Sequence, residues 1–476
     1  MRRGSVIGPL ILIGIGGLFL LKNFWPEIPV VDLIAKYWPL VLIGWGGIRL
    51  LEILVAAIMS KPFPRNGVSG GEWVLVMLIC IVGATMYTAR NYASWFPTRG
   101  VWRGVINDMG ERFDYNLAPA EKTCVKNCRI LIENFRGNAK ITGTDDLTVK
   151  AGGRQTIRSF QQADADNANK QTVLELVQQG DQVIVRTNQD RVSDRLQVTA
   201  DLEITVPSGS SVEARGRRGD FDIQNIAGTV DINSDNAGVR LENIGGNVHV
   251  DLRNSDIVRA TDVKGALELK GRGQDIEFQN IAGQVTVGGT FTGQIQLRNL
   301  AQPLRYDAPQ VTLNVEKLPG QVHMAPGELT ANNLVGPVRV NARSRDVQLS
   351  NFTQSLDLTL ERGDIELRPG ASAPKIEVHT RSGDIDLALP PGSKFDLKAS
   401  TDRGEVHNDF GSPLTVDDTN HGALISGVAG ASPQPVLRLE TGRGAVTVRK
   451  ATAEDVTFPN LPSPPSPPAT PKALEQ

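Results

Sequence analysis

The chain has 476 residues, 21% of them charged and 5% aromatic, with a formal net charge of −2. That length exceeds one ordinary domain, so two or more folding units are expected. The near-neutral balance argues against nucleic acid as a partner, because phosphate binding needs a clustered basic field.

Residues 1–92 are rich in Leu, Ile, Val, Trp and Gly, and three apolar runs fall within them, at about 5–24, 37–58 and 73–89. At about 1.5 Å rise per residue each covers roughly 25–33 Å, the hydrocarbon thickness of a bilayer, so three transmembrane helices are predicted. One phrase is written twice, as PLILIGIGGLFLL (9–21) and PLVLIGWGGIRLL (39–51). Pro9 and Pro39 open their runs, where a missing N–H costs nothing. The glycines at 14, 16 and 17, and their copies at 44, 46 and 47, leave smooth patches for close helix packing. Trp25, Trp38, Trp73 and Tyr87 stand at the ends, as interfacial aromatics do.

A signal peptide is the rival for residues 1–24, but KNFWPEIP follows where a small-residue cleavage site is needed. Arg49 and Glu52 lie three residues apart on one helix face, a charged pair at membrane depth that satisfies itself or serves as a sensing site. Arg2 and Arg3 favour a cytoplasmic N-terminus, and three spans then carry the remainder outside the cytoplasm. The expected location is therefore a cytoplasmic membrane, with several passes and an extracytoplasmic C-terminal domain.

Residues 93–127 read as a linker. It ends in Cys124 and Cys128, a C-x3-C pair in TCVKNCR. Fully extended, their Cα atoms stand about 13 Å apart, whereas a turn brings them to about 6 Å, within disulfide range. A disulfide turn is the leading reading and free thiols the alternative. A metal site lacks its second half, since the five histidines are scattered singly.

From Gly219 onward the chain shows a period. NIAG (225–228), NIGG (243–246), DVKG (262–265), NIAG (280–283), NLAQ (299–302), KLPG (317–320), NLVG (333–336) and NFTQ (351–354) recur at spacings of 18, 19, 18, 19, 18, 16 and 18. Val230, Val248, Leu267, Val285, Val322, Val338 and Leu356 follow the motif in one column. Ile232, Val250, Leu269, Val287, Met324, Val340 and Leu358 lie two residues further on. Alternating pairs such as Val239/Leu241, Ile276/Phe278 and Ile295/Leu297 precede it.

Period-2 alternation in short runs broken by Gly, Asn and Asp is β-strand writing. Two strands per 18 residues in a tandem array predict an all-β solenoid, β-helix-like, over residues 128–450. Asn225, Asn243, Asn280, Asn299, Asn333 and Asn351 should stack as a ladder, interrupted at Asp262 and Lys317. The flanks share this grammar: LEITVPSGSSVEARGRRGDFDI (202–223) parallels IDLALPPGSKFDLKASTDRGEV (385–406). The last stretch, 451–476, is Pro-rich and reads as disordered.

The SGDI-type turns and VPSGSSV-type strands resemble the putative-adhesin domain family of bacterial envelope β-repeat proteins, over about 128–450. The PLxLIGxGGxxLL pair is similar to the transmembrane region of LiaI/LiaF-type proteins, which are linked to envelope stress. The resemblances imply an adhesion-like module on a small membrane anchor.

Enzymatic β-helices need clustered carboxylates or basic residues on one face. Here Asp145, Asp146, Asp220, Asp222 and Asp364 sit beside turns, and no GxSxG, HExxH or P-loop motif occurs. No catalytic residue, metal or cofactor is expected. The RGD triplets at 218–220 and 362–364 open strands, where Gly and Asp serve the turn.

The outward positions Thr229, Asp231, Asn247, His249, Asp251, Glu268, Lys270, Gln284 and Thr286 mix charges and amides without converging on one pocket. Such a face suits weak, extended contact. The expected partners are the lipid bilayer, an envelope polymer, other membrane proteins or a second copy. A stress-sensing membrane component and, further off, a surface glycan enzyme are the alternatives.

Overall fold

A computed structural model describes residues 110–124, 127–193, 196–419 and 422–452, together with helical positions at 40, 43–44, 46–47, 76–77 and 80–81. Those helical positions fall inside the second and third apolar runs. The first run, Arg49, Glu52 and all but the first two residues of the Pro-rich tail lie outside the described residues. Among the described residues no helix is long and apolar enough to cross a membrane.

Strand structure begins at Glu111, inside the stretch read as linker. β1 (Glu111–Thr123), β2 (Arg129–Arg136), β3 (Ala139–Thr144) and β4 (Thr148–Ser159) precede a helix, α1 (Gln162–Gln171). Then come β5 (Glu175–Gln179), β6 (Gln182–Arg186), β7 (Gln197–Pro207), β8 (Ser211–Arg218), β9 (Phe221–Ile226), β10 (Val230–Asn236) and β11 (Val239–Ile244). β12 (Val248–Leu252), β13 (Ile257–Val263), β14 (Leu267–Gly273), β15 (Asp275–Ile281), β16 (Val285–Phe291), β17 (Ile295–Leu300) and β18 (Leu304–Ala308) continue the repeat.

Two long strands follow, β19 (Val311–Ala325) and β20 (Glu328–Ser344), and then β21 (Asp346–Phe352), β22 (Leu356–Arg362), β23 (Ile365–Arg368), β24 (Ile376–Thr380) and β25 (Ile385–Leu389). The chain ends with β26 (Phe395–Thr401), β27 (Val406–Asp409), β28 (Thr415–Thr419), β29 (Gly422–Ala429), β30 (Val436–Thr441) and β31 (Val446–Lys450).

The chain divides into two compact units. Among the described residues from 110 onward the smaller holds Gly110–Ala118, Gly153–Leu174 and Thr187–Asp201, so these inserts within 128–450 leave the solenoid. In it Ile157, Ala165, Ala168 and Val198 form a core against Phe113, Tyr115, Val192 and Leu196. The Tyr115 hydroxyl donates to Asp166 (2.8 Å), and partial burial and that bond push its pKa up to about 12.

The larger unit is the solenoid. Each coil lays one strand in a first sheet, turns through the Asn motif, and lays the next in a second sheet. β9, β11, β13, β15 and β17 stack parallel in the first sheet; β8, β10, β12, β14, β16 and β18 stack parallel in the second. Pairing is in register with the sequence period: Val230 faces Val248, which faces Leu267, which faces Val285. The inward columns are fully buried, and so is the second motif position, from Ile226 and Ile244 through Ile281 to Phe352. Parallel pairing suits strands that alternate without hairpin turns.

The winding departs from a simple coil in two ways. β19 runs backwards through both sheets: it pairs antiparallel with β18 in the second, with β17 in the first, and with β20 along its length. Val322 and Met324 therefore face Leu297 and Ile295 in the first sheet, not the post-motif column of the second. Lys317 stands at a register shift of the reversed strand, which explains its place in the Asn column. The Arg345 guanidinium spans the β19–β20 turn, donating from Nη1 to the carbonyls of Ala325 (2.6 Å) and Glu328 (3.0 Å).

The second departure is at the ends, where coils do not stack in sequence order. β2 lies between β6 and β8, and β3 between β7 and β9. Likewise β30 lies between β24 and β26, and β31 between β25 and β27. The parallel phrases around PSGS and PPGS are the two connections that step over these inserted coils; each turns tightly, Ser210 N–H to Pro207 O (2.9 Å) and Ser393 N–H to Pro390 O (3.2 Å). Antiparallel hairpins, β5–β6 at one end and β26–β29–β28 at the other, close the second sheet. Such caps blunt strand edges that would otherwise template association.

Candidate functional site on the outer face of the solenoid

The turns that position the outer face come first. Asn225, Asn243, Asp262, Asn280, Asn299, Asn333 and Asn351 all sit at positive φ, between 50° and 60°. Asn and Asp tolerate this left-handed conformation better than other residues with a side chain, so Asp262 keeps the column rather than breaking it. Side-chain bonds run from Asn243 to Asn225, Asn280 to Asp262 and Asn299 to Asn280, each 2.8 Å, and from Asn351 to Asn333. The reversed strand β19 separates the last pair from the others.

The opposite turn column carries a second tie. Asp220 of the first RGD accepts from the Gly238 N–H (2.9 Å), and Asp364 of the second accepts from the Asp384 N–H (2.9 Å). Those carboxylates hold coil to coil. Cys124 and Cys128 are joined by a disulfide with Cα atoms 6.2 Å apart, and Cys128 is buried against the Ser210 hydroxyl (3.3 Å). Cys80 is a free thiol. Among the described residues no group of three or more His, Cys, Asp or Glu is arranged to hold a metal.

With the turns clamped, the outer face of the second sheet becomes a fixed grid. In-register pairing sets Asp231, His249, Glu268 and Thr286 side by side on β10, β12, β14 and β16. The residues just before these strands contribute Thr229, Asn247, Ala266 and Gln284. These side chains border a shallow, open hollow of about 410 Å³, with Val230, Val248 and Leu267, whose side chains are buried inward, beneath it. That volume lies in the range of small-ligand sites.

Ala266, not singled out in the sequence, also lines it, as the shortest side chain of its row between Asn247 and Gln284. The one signal was a small residue interrupting a column of polar ones.

Hydrogen bonding orders the rim. Asn247 Oδ1 accepts from the Ala266 N–H (3.0 Å), leaving its Nδ2 as a donor. Glu268 accepts from Lys270 and lies 3.2 Å from His249 Nδ1. The Lys270 ammonium, and secondarily His249, hold the Glu268 carboxyl below the usual carboxylate range. Asp251 and Lys270 stand on the next outward row, beyond the hollow's lining.

The Toastrack DUF4097 family profile matches residues 140–449, well over half of the sequence. The chain belongs to the Toastrack DUF4097 family. The hollow of this Toastrack chain lies wholly inside the matched segment. No curated protein matches the sequence. Among solved structures, a "putative cell adhesion protein" from Clostridium sporogenes aligns at 8% identity with a TM-score of 0.18, covering 71% of this chain and 100% of that one.

Proposed function

We propose that this protein is a membrane-anchored component of a bacterial cell envelope, whose Toastrack solenoid stands outside the cytoplasm as a non-enzymatic binding or scaffold module. The observation that carries the binding reading is the clamped outer grid with its polar hollow. Its side chains are amides, hydroxyls, carboxylates and one imidazole, held by backbone that cannot shift without breaking coil pairing. They make a recognition surface, with no nucleophile activated by a neighbouring base. Anchoring is supported by the repeated apolar phrase, and by Leu40, Ile43, Met77 and Ile81, which are helical and 57–67% exposed. Large apolar side chains so exposed favour a lipid surround.

Two measurements test the proposal. In intact cells a membrane-impermeant thiol reagent should label Asn254→Cys but not Lys61→Cys; the reverse pattern would put the solenoid in the cytoplasm. Cosedimentation of the full chain with isolated cell-wall polymer tests binding, and failure to cosediment across a range of salt would refute the module's role.

A further inference from the structure

Resting on that binding reading, we infer that the hollow between β10 and β16 recognises a segment of extended glycan bearing a free amine, that is, an amino-sugar chain. Neighbouring strands in a sheet lie about 4.8 Å apart. That step is close to the length of one sugar residue in an extended β-linked chain, so successive sugars meet Asp231, His249, Glu268 and Thr286 in turn.

The chemistry of the lining selects among chains. Thr229, Asn247, Gln284 and Thr286 offer both donors and acceptors, as a hydroxylated ligand requires, with Gln284 Nε2 donating to Thr286 Oγ1 (3.4 Å) within the row. No Phe, Tyr or Trp lines the hollow, and its one ring is the polar imidazole of His249, so a flat apolar ligand finds no broad platform there. Asp231 supplies a carboxylate at the rim of the hollow, and it is exposed, while Glu268 is already engaged by Lys270 and His249. A hydrogen bond from an ammonium group to a carboxylate is charge-assisted and roughly twice as strong as a neutral one. Around Asp231 and Asp251 the acidic groups outnumber Lys270, while Arg305 stands beyond Thr286 at the far end of the row, so an amine is drawn to the β10–β12 side.

The test uses the full chain in calorimetric titration with three probes: glucosamine tetrasaccharide, its fully N-acetylated counterpart and tetralysine. The glucosamine oligomer should bind at least fivefold more tightly than the acetylated one. Asp231→Asn should remove that preference while leaving the weak affinity for the acetylated oligomer in place. Circular dichroism checks that this variant is folded, and Thr286→Val, which loses a hydroxyl but no charge, should weaken both sugars alike.

Equal affinity for the two oligomers, no effect of Asp231→Asn, or tetralysine binding as tightly as the amino sugar would each overturn the inference. If the chain still cosediments with cell-wall polymer in any of those cases, the hollow's ligand has been misassigned and the binding module stands. Loss of cosedimentation as well would remove the module itself.

Discussion

Replacing Asn280 separates what the Asn column does for the backbone from what it does for the ladder. Asn280 sits at φ 57°, donates to Asp262 Oδ1 and accepts from Asn299 Nδ2, each at 2.8 Å. Asn280→Ala removes both bonds, worth about 1 kcal/mol net each, with the one to the Asp262 carboxylate at the upper end. It also puts at that left-handed position a residue without the tolerance Asn has there, at a cost of up to about 1–2 kcal/mol. The loss should total up to about 3–4 kcal/mol and be felt mainly in the coils on either side.

Asn280→Gly removes the same bonds without the left-handed penalty, and adds about 0.5–1 kcal/mol of backbone entropy. Glycine should therefore be the milder substitution by about 0.5–1 kcal/mol. Amide hydrogen exchange over residues 262–300 reads these local opening energies directly. If glycine destabilises as much as alanine, the left-handed backbone is not what selects Asn. Unchanged exchange in both variants would mean the ladder contributes nothing.

Ile281 is 1% exposed, so Ile281→Asp places an unpaired charge in the core and should cost several kcal/mol, opening neighbouring coils to protease; a milder effect than Asn280→Ala would contradict the inward assignment of this column. At Gly265 a Cβ would run into the Gly246 carbonyl oxygen of the preceding coil. Gly265→Ala should thus lower stability by about 1–3 kcal/mol in urea unfolding, whereas Gly288→Ala, with open space around it, should not show this clash. The Lys270 ammonium holds the folded pKa of Glu268 below the ordinary glutamate value, so its pairing stabilises the fold above that ordinary value and is lost as the pH falls through the depressed one. Lys270→Ala should flatten this acid dependence, read as exchange protection of β14 against pH.

Much of the solenoid was written in the chain because parallel coils pair in register with the repeat. Val230, Val248, Leu267 and Val285 are one column in both sequence and space, and the Asn residues mark turns whose left-handed φ few other residues accept. Direction and neighbourhood were not written there. A period-2 pattern reads the same forwards and backwards, so KLPG with Val322 and Met324 looked like another coil although β19 runs in reverse. Its traces were a spacing of 16 in place of 18 and a Lys where Asn stands elsewhere.

Any apolar alternating strand can pair with any other, so nothing local announced that β2 and β3, or β30 and β31, would slot between coils distant in sequence. The hollow was hidden for a related reason. Its lining residues were read as outward, but a concavity depends on the relative reach of side chains on adjacent coils, and Ala266 becomes the short side chain of a row only once Asn247 and Gln284 are set beside it by pairing. Alternation and turn chemistry act between residues close in the chain. Strand order and surface relief arise from contacts between residues far apart, which only the folded arrangement brings together.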